Sequence, residues 1–181
     1  MGMRKLSMDE LNRVSVEKFN QLEKLPVICV LDNIRSQHNI GSIFRTSDAF
    51  RIKELYLCGI TATPPNREIN KSALGATESV TWQYFSETNE AIEKLKQAGY
   101  KIIAIEQAME SLDLEDYIPD VSENIALVFG NEVNGVSEEV MEMVDACIEI
   151  PQFGTKHSFN VSVTAAIVLY QIYTKYKKYL V

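Results

Sequence analysis

Apolar residues along this chain come in short, solid blocks rather than in strict alternation. Val27–Leu31 is apolar throughout, as is Ile125–Phe129, and the stretches 55–58 (LYLC), 80–85 (VTWQYF), 101–106 (KIIAIE) and 147–150 (CIEI) are nearly so. Solid runs of this length predict strands covered on both sides, the habit of parallel sheets. The intervening segments carry helical spacing: a helix is expected from about Asn39 to Phe50 and a short one around Ile69–Leu74. Two more are expected, one from a Ser86 cap to Ala98 with Gly99 as its stop, and one from a Ser137 cap to about Val144. At the start, Ser7 and Glu10 form a capping-box pattern, and Leu11, Val14, Phe19, Leu22 and Leu25 recur at helical spacing until Pro26. The pattern predicts an N-terminal helical lead over 1–25 and one α/β domain over 26–181, a parallel sheet with helices on both faces.

The stretch 148–173, IEIPQFGTKHSFNVSVTAAIVLYQIY, organises the rest. A short strand stops at Pro151, which has no backbone N–H to offer. A loop through Gly154 follows, and Ser158 fits the N-cap of a long helix. That helix has two apolar stripes, Val161, Ala165, Val168 and Ile172 on one side and Val163, Ile167 and Tyr170 on another. A surface helix needs only one. It is either a core helix of a single domain or a helix between its own core and a second subunit, and the polar residues kept at its entrance favour the second reading.

Composition narrows the class without naming it. The chain has 181 residues, 46% hydrophobic and 24% charged, enough for one well-buried domain. No apolar run reaches the ~18–20 residues of a membrane span, and no apolar signal-peptide core is seen, so no membrane partner is expected. Cys29, Cys58 and Cys147 each sit in or beside a strand-like run without metal-ligand spacing, and His38 and His157 are isolated. The expectation is a cytoplasmic protein with reduced, buried thiols and no metal. A net charge of −7 argues against a general polyanion binder. The acidity is concentrated in 106–149, however, while Arg35, Arg45, Arg51, Lys53, Arg67 and Lys71 fall closer together. Lys175, Lys177 and Lys178 stand among tyrosines at the tail, either as a solvated helix end or as a second basic cluster.

Ligands of open parallel sheets bind beyond the carboxyl ends of the strands. Three such ends combine glycine with polar residues: Asn39 to Arg45 (NIGSIFR), Gly130 to Gly135 (GNEVNG) and Pro151 to Asn160 (PQFGTKHSFN). Taken alone, each has an ordinary reading. Asn39 is a candidate helix N-cap with Gly41 allowing close helix packing, and Gly130-x-Glu132 is as readily a tight turn with a solvated carboxylate. Together they point to a site. No P-loop, dinucleotide glycine fingerprint, Ser-His-Asp order or Cys-His pairing is present, which disfavours nucleotide triphosphatase, dehydrogenase and hydrolase chemistry.

In the order and separation of these three segments the chain resembles the SpoU-type RNA ribose 2′-O-methyltransferases of the SPOUT superfamily, over about Val27 to Tyr173. The segment 71–77 (KSALGAT) is similar to the branch acting on tRNA guanosine. The resemblance implies a C-terminal deep trefoil knot, a homodimer, S-adenosylmethionine as cofactor and RNA as substrate, tRNA favoured over rRNA. It implies that Gly130, Ile150, Gln152, Phe159 and Asn160 line the cofactor pocket, with Gly130 bare because a side chain would meet the ligand. It makes Arg45 the catalytic arginine, assisted by Asn39, Glu132, Ser158 and Asn160.

Arg45 is either the base or a phosphate clamp, and Asp48, one helical turn on, either orients it or forms an inconsequential surface pair. Glu132 is placed to hold Arg45 or Asn39. RNA contacts are expected from Arg35, Arg45 and Arg67 and from Lys175, Lys177 and Lys178. Gln152-Phe153 and Phe159 depart from the residues usual at these positions, which bears on the shape of the pocket wall. Two other readings remain: a dimeric RNA-binding protein of the same fold without catalysis, and a methyltransferase acting on another hydroxyl.

Overall fold

The computed structural model describes residues 2–7 and 9–176. The seven strands are β1 (Leu25–Asp32), β2 (Ile52–Cys58), β3 (Trp82–Phe85), β4 (Tyr100–Ile105), β5 (Leu112–Asp113), β6 (Asn124–Phe129) and β7 (Ala146–Glu149). They form one sheet in the order β3-β2-β1-β6-β4-β7-β5, with every neighbouring pair parallel. The helices are α1 (Val16–Gln21), α2 (Gln37–Ala49), α3 (Arg67–Ala73), α4 (Ala76–Ser79), α5 (Thr88–Gln97), α6 (Glu138–Met141) and α7 (Val161–Tyr176).

The solid apolar blocks have a direct cause. In β1, Val27, Cys29 and Leu31 enter one core with α2, α3, α4 and α7, while Ile28 and Val30 enter another with α5 and α6. Alternate side chains point to opposite faces, and both faces are covered, so both register positions are apolar from Val27 to Leu31. Cys29 and Cys58 are buried among these apolar side chains, and burial pushes the Cys58 thiol up to about 12, with Asp32 adding to the shift.

Several boundaries differ from expectation. The Ser7–Glu10 capping box forms, with Ser7 N donating to Glu10 Oε2 at 2.8 Å, but it serves only a three-residue turn at Asp9–Leu11. The helix proper starts afterwards, capped by Ser15, and Leu25 and Pro26 belong to β1 rather than to a helix end. Pro26 is tolerated there because it lies at the strand's start, before the regular ladder with β2 resumes at Ile28. The helix predicted from Asn39 begins at Gln37 with Ser36 as its cap, which leaves the Asn39 side chain available for other work. Ser86 does not cap α5; its hydroxyl donates to Glu90. Ser137 precedes α6 without a side-chain capping bond. The two-residue β5 escaped notice because a strand that short carries no periodic signal.

The expected close helix packing at Gly41 is present: a Cβ there would run into Ser72 Oγ and the carbonyl oxygen of Ile69 on α3. The strand order is consistent with the expected knot, since β7, late in the chain, lies between β4 and the edge strand β5 before the chain returns through α7 to pack on α2.

Candidate active site at the carboxyl ends of the strands

Strand order turns back at β1 and β6, and the crevice above their carboxyl ends is where the three polar segments converge. The loop after β6 is a tight structure in its own right. Asn131 and Gly135 exchange backbone hydrogen bonds at 2.9 Å, and Asn131 Oδ1 accepts from the backbone N–H of Val133 at 2.8 Å. Its amide nitrogen donates to the carbonyl oxygen of Asn33 at 2.6 Å, fastening the loop to the segment after β1. Gly130 is required by this turn: a Cβ would overlap the backbone of Gly135 and Val136. That corrects the expectation that the ligand keeps the position bare, since the loop's own backbone already does.

Glu132 leaves the loop towards α2. Its Oε2 accepts from Arg35 N at 2.9 Å, and its Oε1 accepts from Ser36 N at 2.9 Å and from Asn39 Nδ2 at 3.0 Å. Partial burial is the largest influence on this carboxyl and pushes its pKa upward. The combined bonds from Arg35, Ser36, its own backbone and Asn39 outweigh that and hold it below the ordinary range. Three donors converging on a carboxylate favour the charged form. Asn39, 8% exposed, continues the chain of contacts by accepting from Asn160 Nδ2 at 3.1 Å. Asn160 Oδ1 in turn accepts from the N–H and hydroxyl of Ser162, at 2.9 and 2.7 Å. The cap of α7 is therefore Asn160 and not Ser158, whose exposed hydroxyl remains at the cavity wall.

A cavity of about 710 Å³ opens beside this network. Gly130, Ile150, Gln152, Phe159 and Asn160, the five expected cofactor residues, all line it, together with Glu132 and Ser158. Its size suits a nucleoside-sized ligand. Its wall combines apolar side chains, from Ile105, Phe129, Ile150 and Phe159, with backbone and amide groups of the two loops. That is a fitting donor set for a nucleoside carrying an amino-acid tail, and S-adenosylmethionine is such a molecule.

Arg45 is placed elsewhere. It is exposed on α2, makes no hydrogen bond or ion pair among the described residues, and lines a second cleft with Arg13, Arg51, Phe50 and Tyr173. The expected contact of Glu132 is thus with Asn39 and not with Arg45. Asp48 does not orient Arg45 either; it accepts from Ser79 Oγ at 2.6 Å and ties α2 to α4. Arg35 and Arg67 are exposed, Lys175 is half-buried in the last turns of α7, and Lys177 and Lys178 lie outside the described residues.

The sequence profile of the SpoU rRNA Methylase family matches residues 26–170. The chain belongs to that family. Among its relatives is a tRNA (guanosine(18)-2′-O)-methyltransferase of Aquifex aeolicus, 35% identical over 149 residues, covering 80% of this chain and 67% of that one. Another is a 23S rRNA (guanosine-2′-O-)-methyltransferase RlmB of Neisseria meningitidis, 33% identical over 159 residues, covering 87% of this chain and 62% of the relative. The crystal structure of the A. aeolicus TrmH/SpoU tRNA modifying enzyme superposes with a TM-score of 0.79 at 26% identity, covering 91% of this chain and 83% of that one. As a SpoU family member, the chain has the α/β architecture expected from its sequence.

Two contributors to the site went unnoticed in the sequence. The backbone N–H groups of Arg35 and Ser36, not side chains, hold Glu132. Asp32, 1% exposed, accepts from Thr88 Oγ1 at 2.6 Å and Ser137 N at 3.0 Å and so anchors the far end of the Gly130 loop. The available signal was a carboxylate closing an otherwise apolar strand.

Proposed function

We propose that this protein is an RNA ribose 2′-O-methyltransferase that uses S-adenosylmethionine, works as a homodimer and takes tRNA in preference to rRNA. The observation carrying this reading is the continuous Glu132–Asn39–Asn160 network, which joins all three polar segments beside one nucleoside-sized cavity. S-adenosylmethionine supplies an electrophilic methyl group. The protein's part is then positioning, because a ribose hydroxyl is a poor nucleophile and gains most from being held in line. Gly130, Ile150, Gln152 and Phe159 form the cofactor wall, and Asn160 stands where that wall meets the Asn39 side chain. Ser158, exposed at the same mouth, has a hydroxyl to offer an incoming ribose.

The homodimer rests on the second stripe of α7. Val163, Ile167 and Tyr170 are 46%, 37% and 57% exposed, an apolar face left largely open among the described residues. Tyr170 and Tyr173 both contact Phe50, the residue following α2, and Arg45 lines a cleft with Phe50 and Tyr173. Arg45 therefore borders the face that a second subunit would cover. Its planar fork suits a phosphate next to the target ribose. That Arg45 lines a different cleft of its own chain also favours a second reading, an RNA-binding dimer without catalysis.

The test is incubation with labelled S-adenosylmethionine and, separately, tRNA and rRNA lacking the modification, followed by nucleoside analysis. Label in a 2′-O-methylnucleoside, stronger from tRNA, is expected. Retained RNA binding without cofactor binding would establish the non-catalytic reading, and transfer to another acceptor hydroxyl would establish a different substrate.

A further inference from the structure

Glu106 follows β4 at the wall of the cavity, and neither the three polar segments nor the Glu132 network accounts for it. Its two carboxylate oxygens are pinned separately: Oε1 accepts from Gln107 N at 2.9 Å and Oε2 from Val136 N at 3.1 Å. Gly135 is pressed so closely against it that a Cβ there would strike Oε2. Next to it, Gln107 Nε2 donates to the carbonyl oxygen of His157 at 2.8 Å, tying this strand end to the loop before α7. The carboxylate is thus fixed in orientation by backbone on both sides. Each oxygen has one protein donor, whereas a carboxylate accepts about four hydrogen bonds in all. Glu132, by contrast, already takes three donors from the protein.

We propose that Glu106 binds the two adjacent ribose hydroxyls of the cofactor, one on each carboxylate oxygen. The proposal rests on S-adenosylmethionine occupying this cavity. A fixed pair of acceptors in one plane matches a pair of neighbouring donors on one sugar ring. A single ammonium nitrogen presents its donors from one point, whereas two neighbouring hydroxyls present one donor to each oxygen. The preorientation by Val136 N and Gln107 N means that little ordering cost is left for the ligand to bear.

Calorimetry with S-adenosylhomocysteine and 5′-methylthioadenosine, which lacks the amino-acid tail, tests this. Glu106→Gln should weaken both by the same factor, about 10- to 100-fold, the scale of losing hydrogen bonds to a charged group. The 2′,3′-dideoxy form of 5′-methylthioadenosine should bind the wild-type protein more weakly by a similar factor and bind Glu106→Gln no worse than wild type. The arm with wild-type protein needs no variant to fold, and thermal melting of Glu106→Gln checks the loop. Loss confined to S-adenosylhomocysteine would overturn the proposal in favour of a contact to the α-ammonium group. A dideoxy analogue as sensitive to Glu106→Gln as its parent would overturn it in favour of support for Val136 alone. A wild-type protein that binds neither parent ligand would overturn the cofactor reading itself.

Discussion

Glu132 accepts from the side-chain amide of Asn39 at 3.0 Å across 93 positions of sequence. This contact makes the loop after β6 and the start of α2 a single unit. Glu132→Gln retains the shape but places an amide NH₂ among groups that are themselves donors. Stability should fall by about 1–3 kcal/mol, the scale of leaving such donors unpaired. The pH dependence has a definite sign. The folded pKa of Glu132 lies below its ordinary value of 4.5, so its stabilisation is fully present above that value and is lost as pH falls through the lower, folded one. Melting curves from pH 7 to pH 3 should show the gap between wild type and Glu132→Gln closing at the acid end. A constant gap would mean that the charge on Glu132 contributes nothing.

Gly130 separates a backbone requirement from a ligand requirement. Because a Cβ at this position overlaps Gly135 and Val136, even Gly130→Ala should disturb the loop, lowering Tm and abolishing S-adenosylmethionine binding together. Gly130→Ala with wild-type Tm and lost binding would restore the ligand as the reason for glycine.

The exposed stripe of α7 predicts assembly. Ile167→Lys or Tyr170→Lys alters side chains outside the buried face, so circular dichroism should remain that of the folded chain while sedimentation shifts to monomer. A wild-type chain that sediments as monomer at micromolar concentration would remove the dimer from the proposed function.

Much of this fold was legible because burial on both faces writes an unmistakable pattern: β1, β4 and β6 appear as solid apolar runs, and α7 announces two stripes. The polar segments were legible as glycine and amide residues at strand ends, and the structure brings Asn39, Glu132 and Asn160 into one network. What was hidden depends on backbone and on three-dimensional neighbours. Ser36 rather than Asn39 caps α2, and Asn160 rather than Ser158 caps α7, because the hydroxyl and amide side chains are equally good caps and only the loop geometry chooses. Glu132 had either Arg45 or Asn39 as its expected partner, and α2 places Asn39 at the loop after β6 while carrying Arg45 to the second cleft.

Arg35 precedes α2 close to the Glu132 loop, Arg67 opens α3, and Lys175 lies in the last turns of α7, which leaves cationic groups at the protein surface. RNA affinity should therefore fall with added salt, with a log–log slope that loses about one unit for each phosphate contact removed. Arg35→Ala, Arg67→Ala and Lys175→Ala should each weaken binding evenly across RNAs, as measured by filter binding at several salt concentrations. Salt-independent binding would contradict an electrostatic footprint.

Arg45 offers the sharpest test of chemistry against recognition. Its guanidinium is exposed and has no polar partner among the described residues, so its replacement breaks no hydrogen bond or ion pair among them. Arg45→Lys keeps the positive charge but loses the planar fork that engages two oxygens at once. A plain electrostatic clamp tolerates this change with a modest rise in KM for RNA. If Arg45 instead orients the ribose hydroxyl or takes its proton, kcat should fall by roughly 10²-fold or more. Cofactor affinity should be unchanged in either case, because Arg45 does not line the cavity that holds Gly130 and Asn160. The deciding measurement is single-turnover methyl transfer to saturating RNA across pH 6 to 9. Mixed dimers sharpen it further: if Arg45 of one subunit serves the cavity of the other, pairing an Arg45→Ala subunit with a Gly130→Ala subunit leaves one intact composite site, because both defects fall on the same site. Activity near half of wild type in the isolated heterodimer would place Arg45 across the interface, and complete loss would place it within its own subunit's site.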